Sequence, residues 1–426
     1  MRCARYCRYG FVVLALGSAL AAGWSCSDRS ADATAAIATS DAPRNTSPDA
    51  TPAEIAALVD GNLSFGLALQ AALGTDGNQM ISPYSIGLAF GMTYAGARGP
   101  TADELATVLQ FTLPADRLHT AFDALDLALA ARNSDDVALR AANALWAQRS
   151  FSFEAAFLDV LAVDYGAPVR LLDFAGAPEA SRRAVNAWVS DATGAKIPEL
   201  LPAGSLNRLV RFVLTNALYF KAPWASPFAP SETSPASFHR LDGSTVIVDF
   251  MKQDEALRFQ TGEGWQAVEL PYKGGQEAMV ILLPDAGRFA EVTAGLTAAT
   301  LRSAFDLPPS QRVHLAMPKF KFETKTTLKG ALSGLGMPTP FGLTADFSGM
   351  CPDELSLDEV YHDTSITVDE EGSEAAAATG IVGVLQSDAG VLQTAIVLDR
   401  PFLFFIRDLP TGAVLFAGRT LDPSQN

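Results

Sequence analysis

Cysteine and histidine, the residues that most often carry metal and nucleophilic chemistry, are scarce, with four of each in 426 residues. Cys3, Cys7 and Cys26 crowd the N-terminus and Cys351 stands alone in the rest. That leaves no internal pair for a disulfide framework, so stability must come from a large core. Cys351 reads as an unreactive, partly buried thiol. His119, His239, His314 and His362 form no His-Glu-x-x-His pair, and Cys-x-x-Cys, Gly-x-Ser-x-Gly and Ser-x-x-Lys patterns are missing. Gly262-Glu263-Gly264 and Gly334-Leu335-Gly336 lack the third glycine of a phosphate-binding loop. These absences argue against an enzyme, and no metal or cofactor is expected. Positive charge is short as well: 31 Lys and Arg face 47 Asp and Glu, a net charge of −16, the opposite of a nucleic-acid-binding footprint. Asp369-Glu370-Glu371 reads as a solvated acidic run rather than a metal site.

What is present begins with an address. Arg2, Arg5 and Arg8 precede the apolar run Phe11 to Ala22, and the small residues Gly23 and Ser25 stand before Cys26. Residues 1–25 therefore read as a secretory signal, too short in its apolar part for a spanning helix of about 20 residues. Cys26 sits where a bacterial lipoprotein carries its lipid, which makes it the candidate lipidation site and the only expected link to a membrane. Residues 26–52, rich in Ala, Ser, Thr, Asp and Pro, read as a flexible tether. The folded part is expected over 53–426, where 49% hydrophobic and 18% charged residues in the whole chain suit a packed protein.

Ile55, Leu58, Val59, Leu63, Phe65 and Leu69 form a helical stripe that ends near Gly74. Thr101 to Gln110, with Thr101 and Glu104 as a capping box, Leu118 to Ala131 and Pro178 to Ala192 read as further helices. After Arg208 the pattern changes to strands, among them Arg211 to Phe220, Thr245 to Met251, Trp265 to Pro271, Ala278 to Leu283, Val313 to Met317, Ser365 to Val368, Ala395 to Leu398, Phe402 to Arg407 and Val414 to Arg419. Helices first and strands later predict an α+β architecture.

One segment makes little sense as ordinary structure. Glu370-Glu371-Gly372-Ser373-Glu374-Ala375-Ala376-Ala377-Ala378-Thr379-Gly380 has two readings. By propensity it is a short helix capped by Ser373. As an extended strand, it places Ser373, Ala375, Ala377, Thr379, Ile381 and Gly383 on one face, all small or apolar, with Glu374 on the other. Such a segment is able to serve as an exposed loop or an inserted strand.

This hinge resembles that of the serpin family, and the likeness extends over roughly residues 55–422. Asn78-Gln79-Met80-Ile81-Ser82-Pro83-Tyr84-Ser85, Thr193-Gly194-Ala195-Lys196-Ile197-Pro198, Thr215 to Trp224 and Leu398-Asp399-Arg400-Pro401-Phe402-Leu403 are similar to that family's motifs in the same order. The resemblance implies an α+β serpin fold of about nine helices and three β-sheets with an exposed reactive-centre loop. It implies inhibition of a serine protease, with a cysteine protease as a variation, by loop cleavage, covalent acyl-enzyme trapping and loop insertion into the main sheet. A non-inhibitory serpin acting as a binding or chaperone-like protein is the alternative. Under the resemblance, Glu370 to Thr379 are the hinge, and the family's usual spacing from Gly372 puts the reactive bond at Gln386-Ser387, with Leu385-Gln386 as second choice. Ser82, Ser85, Asn216 and His362 match the shutter beneath the sheet centre. Lys221, Trp224 and Lys319 match the breach where insertion begins, with Lys319 paired to Glu370. The protein is expected to act as a secreted or envelope-anchored monomer. Arg117 and Arg132, set among Asp116, Asp123 and Asp126, make a poor site for a sulfated polysaccharide.

Overall fold

The apolar stripe that starts at Ile55 closes into helix α1 (Pro52–Ala72). Its first turn is fixed by a reciprocal cap, in which Glu54 N–H donates to Thr51 Oγ1 and Thr51 N–H donates to Glu54 Oε2. The computed structural model describes residues 35–373 and 394–425, within one unit, Asp32–Asn426. Helices α2 (Pro83–Tyr94), α3 (Gly99–Leu109), α4 (Ala115–Ala130), α5 (Ala155–Val160), α6 (Pro178–Ala192), α7 (Phe289–Gly295), α8 (Ala298–Phe305) and α9 (Lys329–Gly334) follow among the described residues. The strands are β1 (Ala36–Ala38), β2 (Gln79–Ile81), β3 (Ala138–Gln148), β4 (Val169–Leu172), β5 (Phe212–Pro223), β6 (Ser234–His239), β7 (Thr245–Gly262) and β8 (Trp265–Pro271). They continue with β9 (Glu277–Pro284), β10 (Gln311–Pro318), β11 (Phe320–Thr327), β12 (Val360–Val368), β13 (Gly372–Ser373), β14 (Thr394–Val397), β15 (Phe402–Asp408) and β16 (Val414–Thr420).

Among the described residues, one sheet has seven strands in the order β1-β4-β3-β5-β13-β12-β11. The other has nine, β14-β10-β7-β8-β9-β15-β16-β2 with β6 on β7. Two of the three expected sheets are thus continuous. The reason is β7, whose first part pairs with β6 and β10 and whose last part pairs with β8. The period of two decides what each strand of the seven-stranded sheet buries. Phe212, Leu214, Leu218 and Phe220 of β5 face the main core with α2 and the larger sheet, whereas Val213 and Ala217 face α6 with Trp146 and Val189. Asn216 shares the inner face with the leucines, a polar residue that must find partners there.

Several expectations are corrected. The tether assigned to 26–52 is packed from residue 35: β1 pairs antiparallel with β4, Asn45 N–H donates to Val163 O, and Arg44 pairs with Asp123 at 3.0 Å and Asp126 at 2.5 Å. Polar composition hides these contacts because the partners are distant in the chain, some eighty positions away for Arg44 and more than a hundred for β1 and Asn45. Gly166, with φ +58° and Arg44 Cδ 2.8 Å from where a Cβ would stand, is the residue that lets the guanidinium pass. Thr101 does not cap α3, whose N-cap is Arg98. Thr101 Oγ1 accepts from Asp346 N–H, and Glu104 accepts from Thr339. Arg117 and Arg132 are committed to Glu54, Asp49 and Asp408. Cys351 is buried, and burial pushes its thiol up.

Asp123 has no exposed side-chain surface, and burial raises its pKa even with Arg44 against it. Removing the partner of a buried ion pair leaves a charge without compensation, so Arg44→Met is expected to lower unfolding stability by about 2–4 kcal/mol in urea titrations. Adding Asp123→Asn should restore part of the loss. An unchanged midpoint in Arg44→Met would show that residues 35–51 do not grip the body.

Candidate functional site

Three polar side chains occupy inner-face positions of adjacent strands and stand in register: Asn143 of β3 opposite Asn216 of β5, and Asn216 beside His362 of β12. Helix α2 brings two more from below, because Ser82 is its N-cap and accepts from Ser85 N–H. A single set of protons accounts for the bonds in the cluster and leaves Asn143 Nδ2 without a partner among the described residues. Ser82 N–H donates to His362 Nε2 at 3.1 Å, so the imidazole carries its proton on Nδ1 and donates to Asn216 Oδ1 at 2.5 Å. Asn216 Nδ2 donates to Ser85 Oγ at 2.7 Å and to Asn143 Oδ1 at 2.8 Å, and Ser85 Oγ donates to Asn143 Oδ1 at 2.9 Å. The network laces three strands and a helix at the sheet centre. His362 has no catalytic arrangement, since its partners are amides and a backbone N–H.

The seam between β5 and β12 runs parallel from Leu214/Val360 to Leu218/Thr364 and stops. Above it the strands part, and β13 sits in the gap: Ser373 pairs with Ala222 on one side and with Val368 on the other. Glycine is required next to it, because a Cβ on Gly372 would meet Ala222 O at 2.2 Å and Pro223 Cα at 2.6 Å. Ser373 is buried, with its hydroxyl 2.5 Å from that of Tyr272. The Tyr272 ring stacks on Trp224 with centroids 4.7 Å apart.

The turn before β13 is held from several directions. Trp224 N–H donates to Glu371 O and Phe228 N–H to Glu370 O, while Trp224 Nε1 donates to Asp369 O at 2.9 Å. Lys319 pairs with Glu370 at 2.8 Å, and Thr233 Oγ1 donates to the same carboxylate. Burial opposes ionisation of Glu370, but these donors hold its carboxyl below the ordinary value. Asp369 accepts from Glu371 N–H and Gly372 N–H, so the acidic run is a built turn rather than a solvated face. Lys221 lies on β5 opposite Ala138, one residue before Ala222. Glu374 to Thr379, Leu385, Gln386, Ser387 and Cys26 lie outside the described residues.

Two members of this region escape sequence reasoning. Asn143 is the polar misfit in the inner-facing series Leu139, Ala141, Asn143, Leu145, Ala147, a signal readable only once β3 is known to be a strand. Tyr272 follows the strand Trp265–Pro271 with no motif of its own.

A family model described as serpin (serine protease inhibitor) matches residues 60–423. A serpin-like protein of Thermococcus kodakarensis is 38% identical, over 85% of this chain and 84% of its own. Leukocyte elastase inhibitor of Bos taurus is 36% identical, over 82% and 93%. Among solved structures, native tengpin, a thermophilic serpin, aligns with a TM-score of 0.81 at 26% identity over 91% of this chain and 99% of that one. Human thyroxine-binding globulin with its hormone aligns at 0.78 and 28%, over 87% and 99%.

Desolvation lowers the His362 pKa from 6.5 to about 3. The unfolded chain therefore takes up a proton near pH 6.5 that the folded chain refuses until about pH 3. The contribution of this site to stability is full above that window and falls as pH drops through it. Nitrogen-15 NMR at about pH 5 is expected to show His362 neutral with the proton on Nδ1, whereas an imidazolium signal there would contradict the network.

Proposed function

Because the chain belongs to the serpin family, we propose that it inhibits extracellular serine proteases by a single suicidal turnover. The protease serine attacks a carbonyl in the segment after Ser373, the C-terminal portion leaves as an amine, and an ester joins inhibitor to protease. The freed segment then enters the gap above Leu218 and Thr364, carrying the acylated enzyme with it before water cleaves the ester. This chain supplies no catalytic group and is not itself an enzyme. A cysteine protease, which forms a thioester at the same step, is a variation on the target.

The observation that carries this reading is β13, a two-residue strand already seated between β5 and β12 at the end where the seam is open. Continuing it along the gap puts Ala375, Ala377, Thr379, Ile381 and Gly383 on the buried side of Ser373 and leaves Glu374 on the other. No lone charge is then forced into the sheet, a step that would cost several kcal/mol. The polar lacing of Ser82, Ser85, Asn216 and His362 acts as the shutter that must part for the strand to advance, and Lys221, Trp224 and Lys319 frame its entry.

Target class follows from the residues offered. From Gly372 to Leu398 the chain has no Lys or Arg, so a trypsin-like pocket with a buried aspartate has nothing to pair with. Val382, Val384 and Leu385 suit elastase-, subtilisin- or chymotrypsin-like pockets, with Gln386-Ser387 as the reactive bond and Leu385-Gln386 as second choice. The signal at 1–25 exports the chain, and Cys26 is the candidate lipid anchor that displays a monomer from the envelope.

Incubation with elastase, subtilisin, chymotrypsin and trypsin tests the reading. We expect a denaturant-stable one-to-one complex with at least one of the first three, a released peptide beginning at Gln386 or Ser387, and no complex with trypsin. Ser373→Arg, which drives a cation against Tyr272, should be cleaved without trapping. Trapping of trypsin, or undiminished trapping by Ser373→Arg, would overturn the assignment of loop or face. Cleavage with no complex for any enzyme would leave a non-inhibitory binding or chaperone-like serpin.

A further inference from the structure

Strand β3 begins at Ala138, but β4 joins it only from Leu145 onward. Along residues 141–144 the outer edge of β3 therefore has no neighbouring strand among the described residues. A cavity of about 230 Å³ occupies that place, between α2, α4, α6 and the turn leading into β4. Leu88, Met92, Ala144, Pro168 and the Trp188 ring give it apolar walls. An enclosed apolar cavity of about 150 Å³ holds benzene; this pocket, half open to solvent and with both polar and apolar lining, has the volume for an aromatic ring with a short chain.

The charged groups at its rim are unequally matched. Asp126 is neutralised, one oxygen accepting from the Tyr84 hydroxyl at 2.8 Å and the other from Arg44 at 2.5 Å. Arg170 is different. Its guanidinium carbon lies 4.5 Å from the Trp188 ring centroid and 5.6 Å from that of Trp146, and no carboxylate among the described residues pairs with it. Burial pulls its pKa down with no anion to oppose the effect. Asn143 also lines the cavity. Its Oδ1 is spent on Ser85 and Asn216, and its Nδ2 is enclosed without a hydrogen-bond partner among the described residues. A half-buried cation stacked on indole and a spare amide donor beside apolar walls make a receptor for one kind of molecule.

We propose that this cavity binds a small apolar carboxylate, an aryl or short alkyl acid, with its carboxylate on Arg170 and its hydrocarbon body against Leu88, Met92 and Trp188. Asn143 Nδ2 is the second donor available to it. The acid supplies the negative charge that Arg170 lacks, and the ring displaces water from apolar surface.

Isothermal titration of the full-length protein with 3-phenylpropionate and with 3-phenylpropan-1-ol, its uncharged counterpart, tests the site. We expect one site for the acid with a Kd of about 1 mM or tighter, and at least about tenfold weaker binding of the alcohol. Arg170→Met should bring the acid to the affinity of the alcohol and leave the alcohol unchanged. Since Arg170 also stacks on two indoles, a second variant, Ala167→Phe, fills the cavity while keeping the charge and should abolish binding of both compounds without lowering the melting temperature. Equal affinity for acid and alcohol, acid binding unaltered in either variant, or no acid binding up to about 10 mM would overturn the proposal.

Discussion

The seam between β5 and β12 is the contact on which the arrangement depends. Two parallel strands meet for five residue pairs, from Leu214/Val360 to Leu218/Thr364, and at its centre the contact is made by Asn216 and His362 rather than by apolar packing. A hydrogen-bonded polar pair inside a core contributes little net stability when satisfied and costs much when broken singly. Such a seam is geometrically specific, because the backbone pairing of β5 with β12 and the side-chain bonds of Asn216 and His362 must align together.

The wedge at the upper end uses the complementary device. Gly372 comes so close to Ala222 O and Pro223 Cα that no side chain fits, and Ser373 is fixed by the Tyr272 hydroxyl, itself buried under Trp224. The turn that precedes it hangs on Lys319, Thr233 and the Trp224 indole. The Lys319 to Glu370 contact, with a part-exposed ammonium on a largely covered carboxylate, fixes the direction of the turn at the mouth of the gap. At the edge of the same sheet, β1 and Arg44 bind residues 35–51 to the body, whereas β13 lies within the sheet between β5 and β12.

Much of this was legible in the residues. Pro178–Ala192 and Trp265–Pro271 appear where the sequence places them, the first with one apolar helical face and the second as a short run buried on both faces, each with breakers at its ends. Ser82, Ser85, Asn216 and His362 were identified through the family resemblance, and the fold brings all four together. Strand β3 was not read because its sequence, Ala-Leu-Arg-Ala-Ala-Asn-Ala-Leu-Trp-Ala-Gln, favours helix by local propensity and becomes a strand only through β5 and β4. Helix α2 is buried nearly all round, which erases the stripe that marks a surface helix. Residues 35–51 looked like a tether because charge pairing between Arg44 and Asp123 leaves no trace in local composition. Asn143 stands out as a polar misfit only on a strand, so the helix-favouring sequence around it hides it.

If the gap above Leu218 and Thr364 is an unfilled strand position, then cutting the loop and letting the freed segment enter adds backbone hydrogen bonds and buries apolar surface that the intact protein leaves unused. The decisive comparison is the thermal midpoint of intact protein against protein cleaved once between Leu385 and Val391. This account predicts a markedly higher midpoint for the cleaved form. Equal melting of the two would show that the strand stays out and that the seam is an ordinary fixed contact.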